Sequence, residues 1–190
     1  MIIIAGLGNP EPSYNLTRHN AGFMLIDWLS SKHGIKCKKA GFSSLWGAGV
    51  IAGEDVVLAK PQTYMNLSGK AVAALKKHFD ASLDELLVVC DDCELPPGRI
   101  RIRKYGGAGS HNGLKSVIEE LGSKDFPRMR LGVGSPPGRM DLSDYVLSSF
   151  SKDERKDGGL IEEMLTRGAE AIEMIITKDI VYAMNTFNPL

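Results

Sequence analysis

The chain has 190 residues, is 43% hydrophobic and 24% charged, and carries 23 basic and 23 acidic residues, so its formal net charge is zero. Those proportions are ordinary for one globular domain spanning residues 1–190, and the charge balance excludes a protein that coats nucleic acid through a broad positive field, while leaving room for a local basic patch. Three cysteines argue for a reducing compartment over a disulfide scaffold, the first residues lack the basic region and cleavage site expected of a signal peptide, and no apolar run approaches roughly 20 residues, so a cytoplasmic location is expected.

Met1 to Ala5 is apolar and β-branched and reads as a buried strand. Gly6-Leu7-Gly8-Asn9-Pro10 ends it and leaves Asn9 at the mouth of a sheet, where open α/β folds hold ligands. The Gly-x-Gly start matches a dinucleotide fingerprint only in part, because Glu11 stands at its last glycine. Thr17-Arg18-His19-Asn20-Ala21-Gly22 then brings a histidine and a second amide to the start of a helix. That helix is expected over 21–33, with Phe23, Met24, Trp28 and Leu29 as its apolar residues and Gly34 as its stop. Strands are expected near 45–51 and 56–59, joined as a hairpin through Ala52-Gly53-Glu54-Asp55. Ser68 is expected to cap a helix that runs to about Phe79.

Leu86-Leu87-Val88-Val89 has the wholly apolar character of a central parallel strand. Arg99, Arg101, Arg103 and Lys104 alternate with Ile100 and Ile102, and Arg128 and Arg130 repeat the pattern around Met129. These segments read as strands whose arginine faces are either solvated or bind phosphate. Leu114, Val117, Ile118 and Leu121 mark a helix closed by Gly122, and Leu131-Gly-Val-Gly marks a strand. The last third is helical, with Gly158-Gly159 weakening the start of its long helix. Strands alternating with helices, plus one hairpin, predict an α/β fold: a single three-layer α/β/α domain with a mixed, mostly parallel twisted sheet.

Three further segments carry chemistry. Lys60 to Gly69 sets Asn66 at the end of a strand, and the glycine loop Gly106 to Gly113 delivers Asn112 to a helix start. The loop lacks the Gly-Lys-Ser/Thr ending of a P-loop, so ATP chemistry is not expected. Between them, Val89 to Gly98 ends a strand in Asp91 and Asp92. Cys90-x-x-Cys93 has no second pair of zinc ligands near by, and the surrounding carboxylates oppose a thiolate. A water-activating base is preferred to a nucleophilic side chain, because no Gly-x-Ser-x-Gly elbow is present.

Gly-Leu-Gly-Asn-Pro with Tyr14, Thr-Arg-His-Asn-Ala-Gly, Lys-Pro-Gln-Thr-Tyr-Met-Asn-Leu-Ser-Gly, Asp91-Asp92 before Leu-Pro-Pro-Gly, and Gly-Ser-His-Asn-Gly-Leu-Lys together resemble the bacterial-type peptidyl-tRNA hydrolase family, in order, from residue 5 to about 135. The resemblance implies a monomeric α/β enzyme that hydrolyses the ester between a peptide and the 3′ end of tRNA. It implies no metal or other cofactor, no membrane and no obligate protein partner. Carried onto this chain, His19 is the catalytic base and Asp91 its carboxylate partner. Asn9, Asn66 and Asn112 bind substrate and water, Met65 and Tyr14 shape the peptide groove, and Arg103 or Lys104, with Arg130, meets tRNA phosphates. The chain departs from the family pattern at Glu11, Cys93, Glu94 and Ser110.

The residues themselves suit this chemistry. Neutral imidazole is a base near neutral pH, and a carboxylate on its far nitrogen fixes the tautomer. An oxyanion donor is also needed, and the amide of either Asn9 or Asn66 supplies one. A non-catalytic RNA-binding protein on the same scaffold and a small-molecule esterase are the competing readings. His19, Asp91 and three amides favour an enzyme over the first, and the arginine-bearing strands favour RNA over the second.

Overall fold

A computed structural model describes residues 1–189. Its seven strands are β1 (Ile2–Gly6), β2 (Lys39–Gly41), β3 (Ser44–Ile51), β4 (Glu54–Pro61), β5 (Leu86–Asp92), β6 (Ile100–Arg103) and β7 (Arg128–Gly132). They form one sheet in the order β2-β3-β4-β1-β5-β7-β6. Parallel pairing runs through the centre (β4–β1, β1–β5, β5–β7), and antiparallel pairs close the two edges (β2–β3, β3–β4, β7–β6). The pairings thus divide three to three, because the hairpin and the arginine strand each add antiparallel edges to a four-strand parallel core.

Six helices cover both faces: α1 (Ala21–His33), α2 (Ser68–His78), α3 (Asn112–Leu121), α4 (Leu142–Val146), α5 (Leu160–Thr177) and α6 (Ile180–Phe187). Alternation along β1 explains the layering. Ile4 packs with Leu25, Ile26 and Leu29 of α1 and Leu165 and Ile172 of α5. Ile3 and Ala5 point the other way, into Val72 of α2 and Leu114 and Val117 of α3. A strand buried on both faces must be apolar throughout, which is why Met1 to Ala5 shows no alternation. Each fully buried isoleucine contributes on the order of 1.5–3 kcal/mol. Among the described residues, no helix is long and apolar enough to cross a membrane.

Several expectations are revised in detail. β5 continues past its apolar run through Cys90, Asp91 and Asp92, whose partners on β7 are Arg130, Leu131 and Gly132. Backbone pairing carries it on although the side chains turn acidic. β7 joins the Arg128–Arg130 alternation and the start of the Leu-Gly-Val-Gly run, read separately from the sequence, into one strand. Ser68 is the first residue of α2 and not its cap: Leu67 holds that position, and the Ser68 hydroxyl faces the Met65 sulfur at 3.9 Å. Gly158 and Gly159 lie outside α5, with Gly158 at φ 67°, so they shape the entry to the helix instead of weakening its interior.

Candidate active site

The hydrolytic candidates converge where β1 and β5 end. Gly22 explains the approach. A β-carbon there would lie 2.5–2.6 Å from the Leu7 carbonyl oxygen and amide nitrogen and the Val89 carbonyl oxygen. Only glycine lets the first turn of α1 sit on the ends of both strands, and that contact sets His19, three residues earlier, against Asp91. His19 Nδ1 is 2.8 Å from Asp91 Oδ1. Asn20, fully buried, does not serve the cavity: its side chain accepts from the Asn9 amide and donates to the Asn9 carbonyl, both at 2.9 Å. It clamps the loop that carries Asn9.

Sequence reasoning missed His111, which makes the third side of this cluster. Its Nε2 lies 3.0 Å from the same Asp91 oxygen, while its Nδ1 accepts the Leu114 N–H at 3.2 Å as the N-cap of α3. The signal in the sequence was a cap position, usually Ser, Thr, Asp or Asn, occupied by histidine. The hydrogen bonds assign the protons. Because His111 Nδ1 accepts, its proton sits on Nε2 and is donated to Asp91. His19 likewise donates from Nδ1, so in the neutral ring Nε2 carries no hydrogen and is able to accept. Burial alone would raise the Asp91 carboxyl. Attraction and hydrogen bonding from His111, then from His19, overcome this and hold it well below the usual carboxylate range. Asp91 is therefore a buried, fully ionised acceptor for two N–H groups.

These bonds also bear on metal binding. His19, Asp91 and His111 place three ligand-type atoms within 4.8 Å of one another. Both ring nitrogens that face Asp91 carry protons, however. A cation on His111 Nε2 would meet a ring whose other nitrogen is already committed to the helix cap. The donor set fits hydrogen bonding and not a metal ion.

His19, Asp91 and His111 line a cavity of about 510 Å³ with Asn9, Met65, Asn66 and Asn112. Asn9 is 6% exposed, and its Oδ1 accepts the Met65 N–H at 2.9 Å. That bond fixes the flip of the amide and leaves Nδ2 as the group available to a ligand. Asn66 and Asn112 are exposed at the rim. Leu142, Val146 and Leu147, from α4 and its end, form an apolar wall that sequence reasoning did not anticipate. Arg18 holds that wall: its guanidinium donates to the Ser148 hydroxyl and the Ser149 carbonyl at 2.9 Å, pairs with Glu154 at 3.2 Å and lies over Tyr145. Tyr14 is not among the cavity-lining residues: it sits half-buried in a turn, its carbonyl accepting the Thr17 hydroxyl at 2.8 Å. Tyr64, hydrogen-bonded to Glu11, lines the cavity.

Neither Cys90 nor Cys93 is poised as a nucleophile. The Cys90 thiol is pushed up strongly by burial. At Cys93, burial, reinforced by Asp91 and Asp92, raises the thiol to about 12. Among the described residues, neither Ser110 nor Ser143, both at the cavity, is hydrogen-bonded to His19.

A second, basic cleft of about 620 Å³ adjoins the first and shares Asp92, Glu94 and Arg130 with it. Arg101, Arg103 and Lys104 line it, as expected of the arginine strand. Arg130 stands at the junction, donating to Asp92 at 3.2 Å and to the Gly107 carbonyl at 3.0 Å. Arg128 behaves differently from the expected open face. It is 1% exposed because β7 lies inside the sheet. Its guanidinium donates to the carbonyls of Gly106, Lys124 and Phe126, so it braces the glycine loop.

Fold and site define an α/β protein whose cavity holds a histidine–carboxylate cluster suited to hydrolysis. Comparison with known proteins gives the same answer. A family model described as peptidyl-tRNA hydrolase matches residues 3–190, and the chain belongs to that family of hydrolases. It is 46% identical to the peptidyl-tRNA hydrolase of Chloroflexus aggregans, over 100% of both chains. It is 45% identical to that of Bacillus subtilis, over 99% of this chain and 98% of the relative. The crystal structure of peptidyl-tRNA hydrolase from Acinetobacter baumannii superposes with a TM-score of 0.91 at 34% identity, covering 99% of this chain and 94% of that one.

Proposed function

We propose that this enzyme cleaves the ester joining a peptide to the 3′-terminal ribose of tRNA, releasing free tRNA and the peptide. The observation that carries this reading is His19 Nδ1 held 2.8 Å from Asp91, which His111 also contacts, in a cavity that adjoins a cleft lined by Arg101, Arg103, Lys104 and Arg130. His19 takes a proton from water as the water attacks the ester carbonyl, and Asp91 stabilises the imidazolium that forms. Asn9 Nδ2 is the oxyanion donor, since Asn9 alone of the three amides is buried and fixed in its flip. Collapse of the tetrahedral intermediate expels the ribose oxygen, which recovers the proton from His19.

Asn66 and Asn112 bind substrate at the rim, while Met65 and the α4 wall, with Tyr14 further out, face the peptide. Arg103, Lys104 and Arg130 meet phosphates. The enzyme acts as a monomer in the cytoplasm, a reducing compartment with which three free cysteines are in keeping. Incubation with N-acetyl-aminoacyl-tRNA and with unblocked aminoacyl-tRNA tests the function. The blocked ester is released much faster. Equal release of both, or release of neither, defeats the reading.

A further inference from the structure

Tyr105 has no part in the hydrolytic chemistry, yet its setting is unusual. It is 66% exposed, more than any other large apolar or aromatic side chain among the described residues. Exposure of a ring on a flexible loop would mean little, but this ring is rooted on both sides. Arg103, two residues before it, is paired with Arg128 in the sheet. Gly106, the next residue, donates its N–H to the Lys124 carbonyl at 3.2 Å, and its own carbonyl accepts from the buried Arg128 guanidinium. Arg128 is itself held to the Lys124 carbonyl at 2.7 Å. A fully buried arginine thus fixes the backbone beside a ring that faces solvent.

The ring is also the one aromatic group lining the basic cleft, among Arg101, Arg103, Lys104 and Arg130. That combination suits a nucleic acid strand: cations meet phosphates and an aromatic face meets a base. Direction follows from the junction. If the scissile ester sits at His19, the nucleotides before it leave the cavity past Arg130 and enter the cleft where Tyr105 stands.

We propose that Tyr105 is a stacking platform for an unpaired nucleobase near the 3′ end of the tRNA, a subsite that rests on the proposed function. Stacking tolerates any base, so the subsite needs no hydrogen-bond readout. Tyrosine, with two side-chain torsions, loses little freedom on binding.

Steady-state hydrolysis of N-acetyl-aminoacyl-tRNA by wild type, Tyr105→Ala and Tyr105→Phe tests this, with a second substrate in which the unpaired nucleotides preceding the terminal adenosine are abasic. Removing a stacked aromatic costs about 5- to 150-fold in binding. A ring this exposed falls at the low end, so Tyr105→Ala should raise KM about 5- to 10-fold with much less change in kcat. Tyr105→Phe, which keeps the ring, should recover most of the loss. On the abasic substrate, wild type and Tyr105→Ala should converge. An unchanged KM in Tyr105→Ala, or a defect of full size on the abasic substrate, overturns the stacking role. Failure of wild type to cleave either substrate would instead overturn the underlying function.

Discussion

His111 makes two hydrogen bonds through two ring atoms, and two substitutions separate them. His111→Ala removes both the N-cap of α3 and the donor to Asp91. His111→Asn keeps an acceptor close to where Nδ1 stood but has no group that reaches as far as Nε2. Loss of a cap costs about 1 kcal/mol. Loss of a hydrogen bond to a buried carboxylate costs about 1.5–3 kcal/mol. His111→Ala should therefore lose roughly 2.5–4 kcal/mol of stability, and His111→Asn only the second part. The effect on catalysis should be the same for both, because both release one side of Asp91 and loosen the hold on His19. If about 1.4 kcal/mol of that bond is expressed in the transition state, kcat falls about 10-fold in each. Urea titrations give the stabilities and steady-state hydrolysis of N-acetyl-aminoacyl-tRNA gives kcat. Wild-type kcat in His111→Asn, or equal stability of the two variants, would refute the division of roles.

Other expectations follow from the same geometry. Replacing Arg103, Lys104 and Arg130 together by Ala should raise KM for peptidyl-tRNA and change kcat much less, with a shallow salt slope on the order of two to four phosphate contacts. A salt-independent KM shared by wild type and the triple variant would make those side chains a solvated face. The depressed Asp91 carboxyl contributes stability that is present above the unfolded carboxyl value of about 3.9 and lost as pH falls from there toward its folded value. Acid unfolding below about pH 4 should be steeper in wild type than in Asp91→Asn. The raised Cys90 thiol acts in the opposite direction: its contribution is present below about 8.5 and lost as pH rises, so Cys90→Ala should flatten the alkaline limb of the stability profile. Because the protons of His19 and His111 point at Asp91, EDTA should leave activity unchanged. Loss restored by zinc would contradict that proton assignment.

Elements bounded by strong local punctuation were legible in the sequence. Helix α1 ends where Gly34 adopts φ 67°, and its 21–33 span follows directly from that stop. Strand β2 was not, since Lys39–Gly41 is three residues long and turns through Phe42 and Ser43 at φ 54° and 50°, where neither residue type is expected. Asp91 and Asp92 were legible as the end of a strand, but what carries β5 through them is its pairing with β7 and not side-chain character. Arg128 shows the converse. Its alternation predicted an open face, but the interior position of β7 was a tertiary fact, and the arginine became a buried brace. Local pattern placed His19, Asn9 and Asn66. Nothing local showed that His111 would share an oxygen with His19, since the two are joined only by the packing of α3 and α1 against β5.

In the proposed mechanism, His19 Nε2 takes the proton from attacking water. Single-turnover release of N-acetyl-amino acid from saturating enzyme and tRNA ester, compared between wild type and His19→Ala, tests it most directly. General-base catalysis is worth about 10²–10⁴-fold, so the variant should bind the ester normally and release it slower by that factor. Release within twofold of wild type by a folded His19→Ala protein would contradict the account.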